Sequence, residues 1–440
     1  MNPFLKYGAL AAFIGAGVGA AHADTVETKG GFKIKTDDGR FEMSIGGRIM
    51  FDGYILDEDK DSTFGSGAAS QDAKSSTYFR RLYLTVKGKA YGWNYKFEPD
   101  FAGNSTNNSA QASSCTTSTA TPPVTTCTTN NNNSRDIAFQ DVYISHAFGP
   151  GGEVFIGQMK PFRGMEELTS SNDITMMERP FASAAGIFNG GSSREFQQGL
   201  FYKMDISDFL LGASAFDLRR DNTRPTEGVG YNARAVYAPL RADGGTLHAA
   251  VSYSDENPQK NGNDSTSIDA IGSSFTYAGR RGPNQGFGST TGGEHAKTIG
   301  GELAGSFGPA TLQAEFMDQK LGQAVGSDQD VQAWYVQASV FVTGESKPYK
   351  KGEGTFGQPK PKADFGAIEL AARYDSAENK DIGCGVTGAT QCQATAITLG
   401  ANYYVNPNVR FMLNYIMGEL DTGSAKDKSN AITARAQFAF

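Results

Sequence analysis

From Phe41 to the last residue, apolar and polar positions alternate with a period of two, in segments of about ten residues. FEMSIGGRIMFDGY puts Met43, Ile45, Ile49 and Phe51 on one face. Ser44, Arg48, Asp52 and Tyr54 fall on the other. RRLYLTVKG sets Leu82, Leu84 and Val86 against Arg81, Tyr83, Thr85 and Lys87. WNYKFEPDF sets Trp93, Tyr95 and Phe97 against Asn94, Lys96, Glu98 and Asp100. The pattern predicts sixteen strands, near 42–54, 78–88, 91–102, 137–147, 152–160, 196–203, 208–217, 230–238, 246–254, 297–306, 310–320, 331–342, 366–375, 396–405, 408–418 and 429–440. The last keeps its beat to the end: Ile432, Ala434, Ala436, Phe438 and Phe440 share one face. A soluble chain end usually frays into polar residues.

Short and long connections alternate along the chain. Gly88–Ala90, Gly149–Gly151, Gly308–Pro309 and Asn406–Asn408 are short, whereas 103–136, 255–296, 343–365 and 376–395 are long. This rhythm fits an all-β fold, an antiparallel transmembrane β-barrel with short periplasmic turns and long extracellular loops. In lipid a closed barrel satisfies every backbone group, and only one face of each strand is apolar. That explains a hydrophobic content of only 39 % beside 54 glycines and 11 % aromatics.

The N-terminus reads differently. MNPFLKYGALAAFIGAGVGAAHADT has one cation, Lys6, an apolar run from Tyr7 to Ala20, and an A-x-A site at Ala21-His22-Ala23. The expected division is a signal peptide over 1–23, a periplasmic segment over 24–41, and the barrel over 42–440. The net charge of −7 disfavours nucleic acid as a partner. Four cysteines fall in two local pairs, Cys115 with Cys127 and Cys384 with Cys392, in loop-like sequence. In an oxidising compartment they read as two loop-stapling disulfides. Neither C-x-x-C clusters nor histidine neighbours accompany them, so no metal site and no cofactor are expected.

One segment breaks the rhythm. FIGQMKPFRGMEELTSSNDITMMERPFASAAGIFNGG ends regular pairing at Pro161 and then mixes Met165, Leu168, Ile174, Met176, Met177 and Phe181 with Arg163, Glu166, Glu167, Asp173, Glu178 and Arg179. A loop in bulk water has no need of so many large apolar residues. The segment 161–195 therefore reads as a constriction loop folded into the barrel. By parity Gln158 and Lys160 face the lumen, while Phe155 and Met159 face out.

GGRIMFD (46–52), YFRRLYLTVKGKAYGWNYKFEPDFA (78–102), FIGQMKPFRGMEELTSSNDITMMERP (155–180), YNARAVYAPL (231–240) and WYVQASVFVTGESKPYKKGEGTFGQPKPK (334–362) together resemble the phosphate-selective porin O/P family of bacterial outer-membrane proteins. The likeness covers nearly all of the chain beyond the signal. It implies a sixteen-stranded barrel in outer-membrane lipid, a homotrimer, and a pore lined with basic residues that passes small anions. The aromatic C-terminus is similar to the sorting signal of such barrels.

Cations in a narrow, low-dielectric pore attract anions, and arginine's planar fork suits phosphate. The candidate anion path is Arg48, Arg80, Arg81, Lys96, Gln158, Lys160, Arg163 and Arg234. Arg48, Arg80 and Arg81 align with family positions at the basic constriction. Arg80 has the outward parity, so a twist or bulge at the strand's start must turn it in. Where phosphate-specific members carry an arginine, this chain has Gln158. Lys160 would supply a charge about 7 Å further along, as a point and not a fork. Arg219, Arg220 and Arg224 in FDLRRDNTRP are a candidate funnel at the outer mouth. Arg280 and Arg281 read as part of a solvated loop.

A weakly selective or organic-solute channel of the same build is the alternative, and an adhesin-like barrel a further one. An enzyme would need a nucleophile and base in proximity, and neither His146 nor His248 has a serine-containing motif beside it.

Overall fold

The computed structural model describes residues 25–27, 32–58, 74–102, 113–117, 125–129, 137–184, 186–188, 195–218, 228–239, 245–258, 270–381, 383–384 and 391–440. The signal-like residues 1–23 lie outside that set.

Sixteen long antiparallel strands form the wall. They are β1 (Phe41–Glu58), β2 (Lys74–Ala90), β3 (Trp93–Asp100), β4 (Ala138–Ala147), β5 (Gly152–Met159), β6 (Gln197–Ile206), β7 (Phe209–Asp217), β8 (Gly228–Tyr237), β9 (Thr246–Pro258), β10 (Ala296–Phe307), β11 (Ala310–Leu321), β12 (Gln329–Phe341), β13 (Ala367–Asn379), β14 (Cys392–Tyr404), β15 (Val409–Asp421) and β16 (Lys426–Ala439). Each pairs with the next, and β16 closes on β1 from Ser429↔Glu58 to Ala439↔Arg48. Closure leaves the wall without an open edge in lipid. The two-residue beat becomes an inside and an outside. On β15, Phe411 is 49 % and Leu413 52 % exposed outward, while Met412 between them is 3 % exposed.

The end of the chain takes part in closure. The amide of Gly47 donates to the Phe440 carbonyl at 2.9 Å, and that of Phe440 donates to Gly47 at 3.1 Å. The Phe440 ring stacks on Phe438 with centroids 5.7 Å apart. A Cβ at Gly47 would stand 2.8 Å from the Phe440 ring, so glycine admits it. Below this point β1 continues past the last strand, and Phe32–Lys35 takes the vacated edge, with Phe32 opposite Ile45 and Lys35 opposite Glu42. Deleting Phe440 removes both bonds and the stacked ring. The yield of heat-modifiable folded barrel, read as a mobility shift on unheated gels, should fall severalfold. An unchanged yield would contradict this role for the terminal ring.

Among the described residues three segments enter the barrel, where one was expected. The β5–β6 loop carries the helical turn Met165–Leu168 and buries Met165, Ile174, Met176 and Met177. The β9–β10 connection, which reads as an external loop in the sequence, folds a hairpin (Gly272–Thr276 with Asn284–Ser289) inward. Its Phe275, Phe287 and Tyr277 join Phe181, Phe188, Phe216 and Tyr335 in one buried cluster. Apolar burial available inside the barrel outweighs solvation of that loop. The third segment, 342–366, corrects the short/long rhythm. It is a long connection at the short-turn end, and it too turns inward. Lys347 bonds Glu369 on the wall at 2.7 Å, and Phe356 is 3 % exposed.

Cys384 and Cys392 form a disulfide. Cys115 stands opposite Cys127 in the small hairpin Ser113–Thr117 with Thr125–Thr129. The side chains of that hairpin lie outside the described residues.

Candidate functional site: the channel constriction

Among the described residues, two cavities lie in the barrel on either side of the β5–β6 loop. The outer one, about 810 Å³, is lined by Tyr78, Arg80, Glu178, Arg280, Arg281 and Arg373 among others. The inner one, about 380 Å³, faces the short-turn end. Its charged lining is Arg48, Arg81, Lys87, Lys96, Lys160, Arg179, Lys203 and Lys350, against Glu98, Asp141, Glu195 and Glu353: eight cations and four carboxylates.

A β-bulge delivers the first two arginines. Met50 faces Arg81 and Phe51 faces Phe79, so Arg80 is the extra residue. Both guanidinium groups then reach the lumen, one into each cavity. Arg80 is held by Glu178 at 2.8 and 3.0 Å. Arg81 is 3 % exposed and donates to the Tyr83 hydroxyl at 3.2 Å. Among the described residues no carboxylate stands within 4.0 Å of Arg81, Lys87 or Lys203. Arg48 donates to Ser171 of the loop at 2.7 Å and to Glu98 at 3.2 Å. Lys96 pairs with Asp141 at 2.5 Å. Lys160 leaves the end of β5 and meets Glu195 at 2.5 Å.

Three expected path residues stand elsewhere. Gln158 is on the outer wall, opposite Gln198 and beside outward Ile156. It bonds the carbonyls of Phe139 and Gln140 at 2.6 and 2.8 Å. Phe155 takes the lumen side instead, in a cluster with Phe162 and Phe201. An apolar side chain faces inward there because the loop, and not water, covers it. Arg163 is fully buried behind the loop, paired with Glu256 on β9 and stacked on the rings of Phe188 and Phe216 at 4.4 and 5.4 Å. It anchors the loop and lines neither cavity. Arg234 is likewise spent on the wall, bonded to Glu302 at 2.8 and 2.6 Å and to the Gly354 carbonyl at 3.1 Å. Arg219, Arg220 and Arg224 lie outside the described residues.

Other lining residues were not among the expected path residues. Lys203 shares the parity of Phe201 and was within reach of the pattern. Lys350 bonds Asp173 of the constriction loop at 2.7 Å, from a segment that reads as external. Arg281 lies over the Tyr78 ring at 4.4 Å in the outer cavity, and not in a solvated loop.

Known proteins fit this architecture. A family model described as "Phosphate-selective porin O and P" matches residues 59–440. The chain belongs to that family. Porin O of Pseudomonas aeruginosa is 26 % identical over 442 aligned positions, spanning 94 % of this chain and 92 % of Porin O. Among solved structures, the outer-membrane channel DcaP of Acinetobacter baumannii superposes with a TM-score of 0.53 at 14 % identity, covering 92 % of this chain and 99 % of DcaP. An anion-selective porin from Comamonas acidovorans gives 0.52 at 14 % identity, over 91 % of this chain and all of that one. These two likenesses concern the fold. The protein is thus an outer-membrane porin of a bacterial cell, a channel and not an enzyme, and its short-turn end is periplasmic.

Proposed function

We propose that this porin passes small anions by diffusion and retains phosphate during passage. The observation that carries this is the charge of the inner chamber, where eight cations meet four carboxylates and Arg81 has no ion-pair partner among the described residues. A guanidinium in a narrow, protein-walled pore exerts a stronger field than in bulk water. Its fork can take two oxygens of one phosphate, while Tyr83 supplies a hydroxyl beside it. The family's phosphate selectivity supports the choice of solute. The placement of Gln158 on the outer wall removes one candidate ligand from the path.

Single-channel recording in chloride tests the solute. Added phosphate should reduce the chloride current with saturation. A current indifferent to phosphate would contradict the phosphate part alone. Weak selectivity is the second reading, favoured by the carboxylates that neutralise Arg48, Lys96 and Lys160.

The assembly is a homotrimer in this proposal, on the family resemblance, and native mass spectrometry in detergent tests it. Export with cleavage after Ala23 completes the reading. The outer-membrane form should begin at Asp24 on N-terminal sequencing, and a start at Met1 would exclude cleavage.

A further inference from the structure

Arg179 and Glu195 are the two residues common to both cavities. The boundary between the outer and inner chambers is therefore an ion pair. Glu195 Oε1 lies 3.2 Å from Arg179 Nη1 and 2.5 Å from Lys160 Nζ. Its side chain is about one third exposed, so it stands in the water path and not behind the loop.

The two cations do not depend on Glu195 for their positions. Arg179 donates from Nε to the Glu166 carbonyl at 3.0 Å and from Nη2 to the Thr169 carbonyl at 2.7 Å. Lys160 donates to the Glu167 carbonyl at 2.7 Å. Loop carbonyls thus hold a fixed pair of donors, and one carboxylate oxygen bridges them. An oxygen of a passing anion would take the same place.

We infer that Glu195 is a tethered counter-anion: it competes with the solute for Lys160 and Arg179 and so sets how strongly the constriction holds an anion. Conduction needs a site attractive enough to enter and weak enough to leave. A built-in carboxylate at the pinch lowers retention while leaving the surrounding cations in place. The inference rests on the anion-channel reading above.

The test removes the charge in two ways, Glu195→Gln and Glu195→Ala, with Glu195→Asp as the charge-keeping variant. Channels are recorded in planar bilayers under a KCl gradient and then with inorganic phosphate added. Both neutral variants should shift the reversal potential further toward the chloride potential. Phosphate should block them at roughly tenfold lower concentration, the scale of one nearby unit charge after screening. Glu195→Asp should stay near the parent channel. Glu353→Gln, which lines the inner chamber away from the boundary, should move block far less. Unchanged or weaker block in both neutral variants would overturn the inference, since that is the outcome if Glu195 only braces Lys160 and Arg179. A parent channel without anion preference would instead overturn the reading beneath it, and the inference with it.

Discussion

Arg81→Glu combined with Arg48→Glu should abolish the anion preference of the channel. Among the residues that line the inner chamber, eight cations outnumber four carboxylates by four. Each reversal removes two, so the pair brings the excess to zero. Arg81 keeps more of its charge, because among the described residues no carboxylate stands within 4.0 Å of it, whereas Arg48 already shares its charge with Glu98. Arg81→Glu alone should therefore shift the reversal potential more than Arg48→Glu alone. Equal conductance to both ions in the double variant is the expected end point. A reversal potential that does not move would take these two arginines out of the ion path.

Arg163→Met should release the constriction loop without opening the barrel. The guanidinium is buried at 1 % exposure and joins the loop to Glu256 on β9. Removing one partner of a buried pair typically costs about 3–5 kcal/mol, because the other charge stays buried. That cost falls on the loop's attachment and not on the closed ladder of β1 and β16. Single channels should show a larger and noisier conductance with reduced anion preference. Heat-modifiable mobility should remain. Combining Arg163→Met with Glu256→Gln should restore part of the quiet current, since the buried carboxylate charge is removed as well. A parent-like current in Arg163→Met would show that other anchors suffice, such as the carboxylate of Glu315, which accepts the backbone amides of Met165 and Glu166 at 2.9 and 2.8 Å.

The wall was legible in the sequence because the bilayer acts on one face of every strand. Lipid demands apolar residues there, and water or packed loops accept polar ones on the other side. All sixteen strands follow from that single rule, and the terminal Phe440 follows from closure. The interior was less legible because parity says which face a residue takes but not what covers that face. Phe155 points inward under a loop, so its apolar character misled the reading of Gln158. Arg163 and Arg234 do have inward sites, yet buried Glu256 and Glu302 claim them. The inward hairpin and the 342–366 segment carried a usable signal in Phe275, Phe287 and Phe356, large apolar residues in segments that read as solvated. Glu195 carried none. Its role depends on Lys160 and Arg179 meeting from opposite ends of one loop, a convergence that only the fold creates.

Excess positive charge in the inner chamber sets the proposed anion preference of this barrel. The reversal potential of the purified channel in a planar bilayer under a KCl gradient measures it most directly. A potential close to the chloride equilibrium value is the result expected from eight cations facing four carboxylates. A potential at zero or toward the potassium value would contradict it.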